Sequence, residues 1–80
     1  MKTIKITTEF IKLDQLLKFA NIASTGGHAK FLIKNESIKL NGEVETRRGK
    51  KIYPGDQLVI DVSEDYNFDE DELSLIIEKK

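Results

Sequence analysis

The chain has 80 residues, with 13 Lys and Arg against 14 Asp and Glu, for a formal net charge of −1. It contains no Cys, no Trp, one Pro and one His, which excludes a disulfide scaffold and Cys-based zinc sites. A chain this short makes one domain with a stability of roughly 4–12 kcal/mol and hides only about 60 % of its unfolded surface, which leaves little room for a large enclosed active site.

Met1–Ile6 alternates, with Ile4 and Ile6 on one face and Lys5 on the other, as in a half-buried strand. No apolar run near it reaches signal-peptide or membrane-span length, so the expectation is a soluble cytoplasmic protein without a membrane partner. Thr7, Thr8 and Glu9 lead into a helical stretch in which Leu13, Leu16, Leu17 and Ala20 form one apolar stripe. Ile22 and Ala23 close it before the break Ser24-Thr25-Gly26-Gly27.

A second helix is predicted from about Gly27 to Asn35, where Ala29, Leu32 and Ile33 repeat the helical spacing and Lys30 and Lys34 share another face. Ser24 or Thr25 serves as N-cap, and Asn35 is expected to end the helix in a left-handed conformation. The two helices make an αα-hairpin.

The remainder reads as β. Ile38 and Leu40 alternate with polar neighbours, Asn41-Gly42 signals a two-residue hairpin turn, and Val44 lies on the returning strand. Arg47-Arg48-Gly49-Lys50-Lys51 forms a basic loop. Pro54-Gly55 fits the centre of a type II turn before the strand Leu58-Val59-Ile60-Asp61-Val62. At the C-terminus, Leu73, Leu75 and Ile77 alternate as in a strand, while Asp69 and the terminal Lys79-Lys80 also suit a helix; the alternation favours the strand.

The net charge conceals a division. Residues 1–62 carry 11 basic and 7 acidic side chains, whereas residues 63–80 carry 2 and 7, so a +4 body is joined to a −5 tail. Six of the nine residues from Glu64 to Glu72 are acidic, and Tyr66 and Phe68 lie among them. Such a split suggests a polyanion-binding surface beside an acidic segment, the plainer alternative being a solvated surface with a polar loop.

Four cations in five residues, Arg47, Arg48, Lys50 and Lys51, repel one another unless an anion joins them. Arg presents a planar fork to phosphate oxygens and Lys a point charge. Gly26 and Gly27 let backbone N–H groups at a helix start approach a phosphate, with Lys30 and Lys34 on the same helix, although a tight turn is the commoner meaning of Gly-Gly. His28 has no second His or Cys to share a metal, so it reads as a surface or capping group, or as a phosphate contact. Aromatic rings in so small a domain generally belong to the core. Of Phe10, Phe19, Phe31 and Tyr53, the last is the best candidate for an exposed stacking ring.

The order of these residues resembles the RNA-binding domain named after ribosomal small-subunit protein four, the S-four domain. Lys12-Leu13-Asp14 with Leu16 and Leu17 matches the start of the family pattern. Thr25, Ala29, Leu32 and Ile33 match its second helix, Ile38-Lys39-Leu40-Asn41-Gly42 its strand end, and Gly55-Asp56 with Leu58-Val59-Ile60 its close. The match covers about residues 12–60 and looks most like the small, stand-alone bacterial members of the YaaA and YbcJ type. Gly26 stands where many members carry Arg, which shifts the contact to backbone amides, His28 or Lys30, and Glu36 stands where many carry Gly.

The resemblance implies an α+β fold, an αα-hairpin packed on a small, mostly antiparallel sheet, with the helix pair and adjacent loop facing RNA. Residues 1–80 are then a single RNA-binding domain with an acidic segment at 63–72. The expected function is non-catalytic recognition of structured RNA (ribosomal or transfer RNA, with ribosomal particles as partners) by a monomer without cofactor or metal. Lys12, Gly26, Gly27, His28, Lys30, Lys34, Asn41, Arg47, Arg48, Lys50 and Lys51 are the expected contacts. The alternative is a protein-docking adaptor that uses the same basic surface. An enzyme is disfavoured by the lack of a Cys nucleophile, a recognisable Ser–His–Asp set or a nucleotide-binding loop.

Overall fold

Alternating apolar residues bury one side of each long strand, and the same periodicity forces a two-layer arrangement. The computed structural model describes residues 1–64 and 68–80. In chain order it contains β1 (Lys2–Ile6), β2 (Ile11–Lys12), α1 (Leu13–Phe19), α2 (Gly26–Lys34), β3 (Ile38–Leu40), β4 (Glu43–Val44), β5 (Lys51–Ile52), β6 (Gln57–Asp61) and β7 (Glu72–Lys79). The main sheet has the order β1-β7-β6-β3-β4, and β2 and β5 form a separate two-stranded sheet. Every pairing is antiparallel except β1 with β7. The fold is therefore α+β with a mostly antiparallel sheet, and the C-terminal segment is a strand.

Leu13, Leu16 and Leu17 of α1 and Ala29, Leu32 and Ile33 of α2 share one apolar cluster with Ile4, Ile6, Ile38, Leu58, Ile60, Leu75 and Ile77 of the sheet. Ile52 of β5 is fully buried in the same cluster, which fastens the small sheet to the large one. Removing a large side chain from such a core costs about 2–5 kcal/mol, a considerable part of what a domain of this size has.

Both helices end in the same way. Asn21 (φ 60°) and Glu36 (φ 60°) are left-handed, and the following N–H groups of Ile22 and Ser37 donate back to the Leu17 and Leu32 carbonyls. This is the Schellman arrangement. It corrects the expectation for Asn35, which is the C-cap at φ −79° and leaves the left-handed conformation to the next residue. The helix starts one residue earlier than predicted, at Gly26, with Thr25 as N-cap accepting the His28 N–H at 3.1 Å.

The two predicted turns are present. Asn41 (φ 51°) and Gly42 (φ 90°) make the β3–β4 hairpin a two-residue turn of the primed kind. Gly55 (φ 97°) occupies the position of a type II turn that requires positive φ, and the Asp56 N–H closes the turn onto the Tyr53 carbonyl at 3.0 Å.

Within the acidic stretch, Asp65, Tyr66 and Asn67 lie outside the described residues. Phe68 packs against the core, and the Val62 N–H donates to the Asp71 carbonyl at 2.8 Å. Glu70 and Glu72 line a hollow of about 560 Å³ together with Ala20, Asn21 and Ile22, which places them beside the C-terminal end of α1.

Candidate nucleic-acid interface

An α-helix leaves its first N–H groups without internal partners, and Lys12, the N-cap of α1, offers no side-chain acceptor. The basic loop supplies what is missing. The Leu13 N–H donates to the Lys50 carbonyl at 2.9 Å, and the Asp14 N–H donates to the Arg48 carbonyl at 3.2 Å. Arg48 Nε in turn lies 3.5 Å from Asp14 Oδ2. The loop is thereby fixed to the start of α1, and Lys12, Arg48, Lys50 and Lys51 are brought into one neighbourhood. Lys12 and Lys51 are direct partners across the β2–β5 ladder.

Arg47 is held from the other side. Its backbone N–H donates to Glu45 Oε2 at 2.9 Å, and its Nε and Nη2 reach Oε2 and Oε1 at 3.0 and 3.2 Å. Glu45 is only 8 % exposed. The Arg47 hydrogen bonds hold its carboxyl below the usual carboxylate range against the opposing effect of burial. The Arg47 side chain keeps 71 % of its surface in solvent, so the guanidinium is positioned and still accessible.

Lys30 and Lys34 are exposed on α2, one turn apart as the sequence implied. Helix α2 packs on α1, so these two cations are carried on the same hairpin as the capped helix start. Gly26, Gly27 and His28 form the first turn of α2. A Cβ built on Gly26 meets nothing within 4 Å, so no packing demand explains that glycine.

Asn41 sits differently from the cations. Its Nδ2 donates to Asp56 Oδ1 at 3.1 Å, and its Oδ1 accepts the Gln57 N–H at 2.9 Å. It ties the hairpin turn to the Pro54-Gly55 turn. It also borders a hollow of about 450 Å³ with Glu45, Arg47 and Lys50, so it joins the basic loop as part of the framework around it.

Two anchors, Asp14 and Glu45, escaped the sequence reading as partners of the arginines. Glu45 stands two residues before Arg47 in the irregular segment after β4, and their pairing is set by the path of that segment. The expectation that aromatic rings fill the core is also corrected. Phe19 and Phe31 are 59 % and 57 % exposed, since each falls off the apolar stripe of its helix, and Tyr53 is exposed as predicted. Among the described residues, no group of three or more His, Asp or Glu side chains is placed to hold a metal ion. No helix is long and apolar enough to cross a membrane.

Comparison with known proteins now decides the family. The model for the S4 domain matches residues 4–67, which is most of the chain. The chain belongs to the S4 domain family. It is also 41 % identical over 58 residues, covering 72 % of this chain and 82 % of the relative, to a Bacillus subtilis (strain 168) protein named "Probable ribosome maturation protein RlbA". Within the S4 match lie α1, α2, the hairpin and the basic loop, so every cation discussed above falls inside the shared region.

Proposed function

We propose that this S4 domain protein is a cytoplasmic, monomeric, non-catalytic RNA-binding module of residues 1–80 that recognises a structured ribosomal or transfer RNA and serves ribosome assembly. The observation that carries this reading is the capping of α1 by the basic loop, which presents Arg48, Lys50 and Lys51 beside Lys12 on a preformed surface. Arg47, held by Glu45, and Lys30 and Lys34 on α2 extend that surface. Gly26, Gly27 and His28 bring the backbone of the second helix to the RNA, and Asn41 supports the loop from the hairpin side. Similarity to a protein named for ribosome maturation supports the ribosomal setting.

Duplex RNA is read mainly through its shape, phosphates and 2′-hydroxyls, which suits a fixed array of cations. If about four to six phosphates are neutralised, log K against log salt falls with a slope of about −3 to −5. The test is to pass purified ribosomal subunits and their extracted RNA over the immobilised protein, with and without ribonuclease, across a salt series. Retention lost on digestion, with the steep slope, supports the reading. Retention that survives digestion would favour docking to protein through the same surface.

A further inference from the structure

The two-stranded sheet has an inner and an outer face. Ile11 and Ile52 are paired, and Ile52 is fully buried while Ile11 packs against the core, so this pair faces inward. Side chains alternate along a strand and paired residues share a face, so Lys12 and Lys51 point outward together. Just beyond the other end of this short ladder, next to the Ile11–Ile52 pair, Phe10 and Tyr53 meet with ring centroids 5.9 Å apart and planes tilted by 51°. Lys51 Nζ lies 4.8 Å from the centroid of the Phe10 ring. The outer face therefore carries two rings and two cations.

This arrangement is costly in the free protein, because like charges directly opposite each other across a ladder destabilise it. It becomes favourable when an anion lies between them. Lys51 covers Phe10, which leaves Tyr53, 47 % exposed, as the ring open to solvent. Its backbone is fixed on both sides, since its N–H donates to Asp56 Oδ2 at 2.8 Å and its carbonyl accepts the Asp56 N–H. A ring on so fixed a backbone loses little freedom when another ring is laid on it.

We propose that this outer face is a nucleotide-stacking site, in which Tyr53, braced by Phe10, receives one unpaired base of the bound RNA while Lys12 and Lys51 hold the adjoining phosphates. The inference rests on the RNA-binding reading above and deepens it by naming the kind of RNA element recognised. A continuous duplex hides its bases, whereas a bulged or terminal nucleotide can be splayed out and stacked on an aromatic ring. The charge of the patch selects a phosphate-linked base over an apolar protein segment. Because β5 leaves the basic loop directly and β2 runs into α1, a stacked base would sit at the border of the surface that holds duplex phosphates.

The experiment uses the full chain and two short RNA hairpins that are identical except for a single bulged 2-aminopurine in the stem of one. Stacking on an aromatic ring contributes about 1–3 kcal/mol, or roughly 5- to 150-fold in affinity. The bulged hairpin should bind tighter by that factor, with quenching of the 2-aminopurine emission. Tyr53→Ala should remove the preference and the quenching and leave the plain hairpin bound as before. Tyr53→Phe, which keeps the ring and the fold, should retain both. Equal binding of the two hairpins by the unmodified chain, or an equal loss for both with Tyr53→Ala, overturns the stacking site and leaves the RNA reading standing. Failure of the unmodified chain to bind either hairpin in a salt-dependent way overturns both.

Discussion

Asp14 and Arg48 are joined twice, once through the backbone and once through their side chains: the Asp14 N–H reaches the Arg48 carbonyl at 3.2 Å, and Arg48 Nε lies 3.5 Å from Asp14 Oδ2. The backbone bond survives replacement of the side chain, whereas the ion pair does not. Asp14 Oδ1 also accepts the Gln15 N–H at 2.8 Å. The Arg48 side chain is more than half exposed, and ion pairs of this kind contribute at most about 1 kcal/mol. Asp14→Ala is thus expected to lower Tm by no more than about 4–8 °C in a thermal melt followed by circular dichroism. A collapse of the whole fold would show that the carboxylate matters beyond the Arg48 and Gln15 contacts.

Glu45 and Arg47 make the opposite case, because here the carboxylate is buried. Arg47→Ala removes the guanidinium bonds and leaves the buried Glu45 carboxylate with only the backbone N–H of position 47, so stability is expected to fall. Since Arg47 also belongs to the proposed interface, chemical denaturation should be measured alongside binding, and a denaturation midpoint unchanged by the substitution would contradict the burial argument.

The same pair sets a pH dependence. The folded-state pKa of Glu45 is lowered, with the Arg47 side-chain hydrogen bond as the largest cause. A depressed carboxylate contributes stability that is fully present above its ordinary pKa, about 4.3, and is lost as the pH falls through the lowered folded value. Thermal melts from neutral pH down into that acid window should show a steeper loss for the native chain than for Glu45→Gln. Parallel curves for the two would mean that this carboxylate is not a source of acid sensitivity.

Glu36 is the clearest place to gain stability. It takes φ 60° to close the Schellman turn of α2, a conformation that costs an L-residue with a Cβ about 1–2 kcal/mol. Glycine is indifferent to the sign of φ but is more flexible when unfolded, which offsets part of the gain. Glu36→Gly is expected to raise stability by about 1 kcal/mol, read as an increase in the denaturant midpoint with an unchanged slope.

Removing one exposed phosphate-contacting cation should change the salt dependence of RNA binding. For Lys30→Ala or Lys34→Ala, affinity should fall for every RNA tested and the slope of log K against log salt should become shallower by about 1. Neither side chain is buried, so melting temperatures should stay within the small range typical of surface substitutions. An unaltered slope for both would place the RNA elsewhere on the molecule.

The elements that the sequence revealed most clearly are those governed by local chemistry. Periodicity marked Leu13, Leu16 and Leu17, and positive-φ chemistry marked Asn41-Gly42 and Gly55, because these signals lie within a few neighbouring residues. The β2–β5 pair was missed since each strand is two residues long, too short for alternation to register. Its existence depends on Ile11 and Ile52 meeting from 41 positions apart. The cations themselves were legible as a cluster, but their holders were not, because Asp14 reaches Arg48 only after the chain has passed through both helices and the hairpin. Phe19 and Phe31 show the limit of reasoning from residue type: hydrophobic rings were assigned inward although their helical positions turn them outward.

The division of charge acquires a direction once α1 is in place. Lys12 and Arg48 stand at its N-terminal end, and Glu70 and Glu72 border the turn at its C-terminal end. With a net charge of only −1, the molecule has almost no overall pull toward or away from a polyanion. The contrast along α1 is local, since Met1 and Lys2 line the same hollow as Glu70 and Glu72 and Lys18 stands in the last turn of the helix. Near a large negatively charged particle, the side carrying Glu70 and Glu72 meets repulsion that the side carrying Lys12 and Arg48 does not, so charge selects the approach locally.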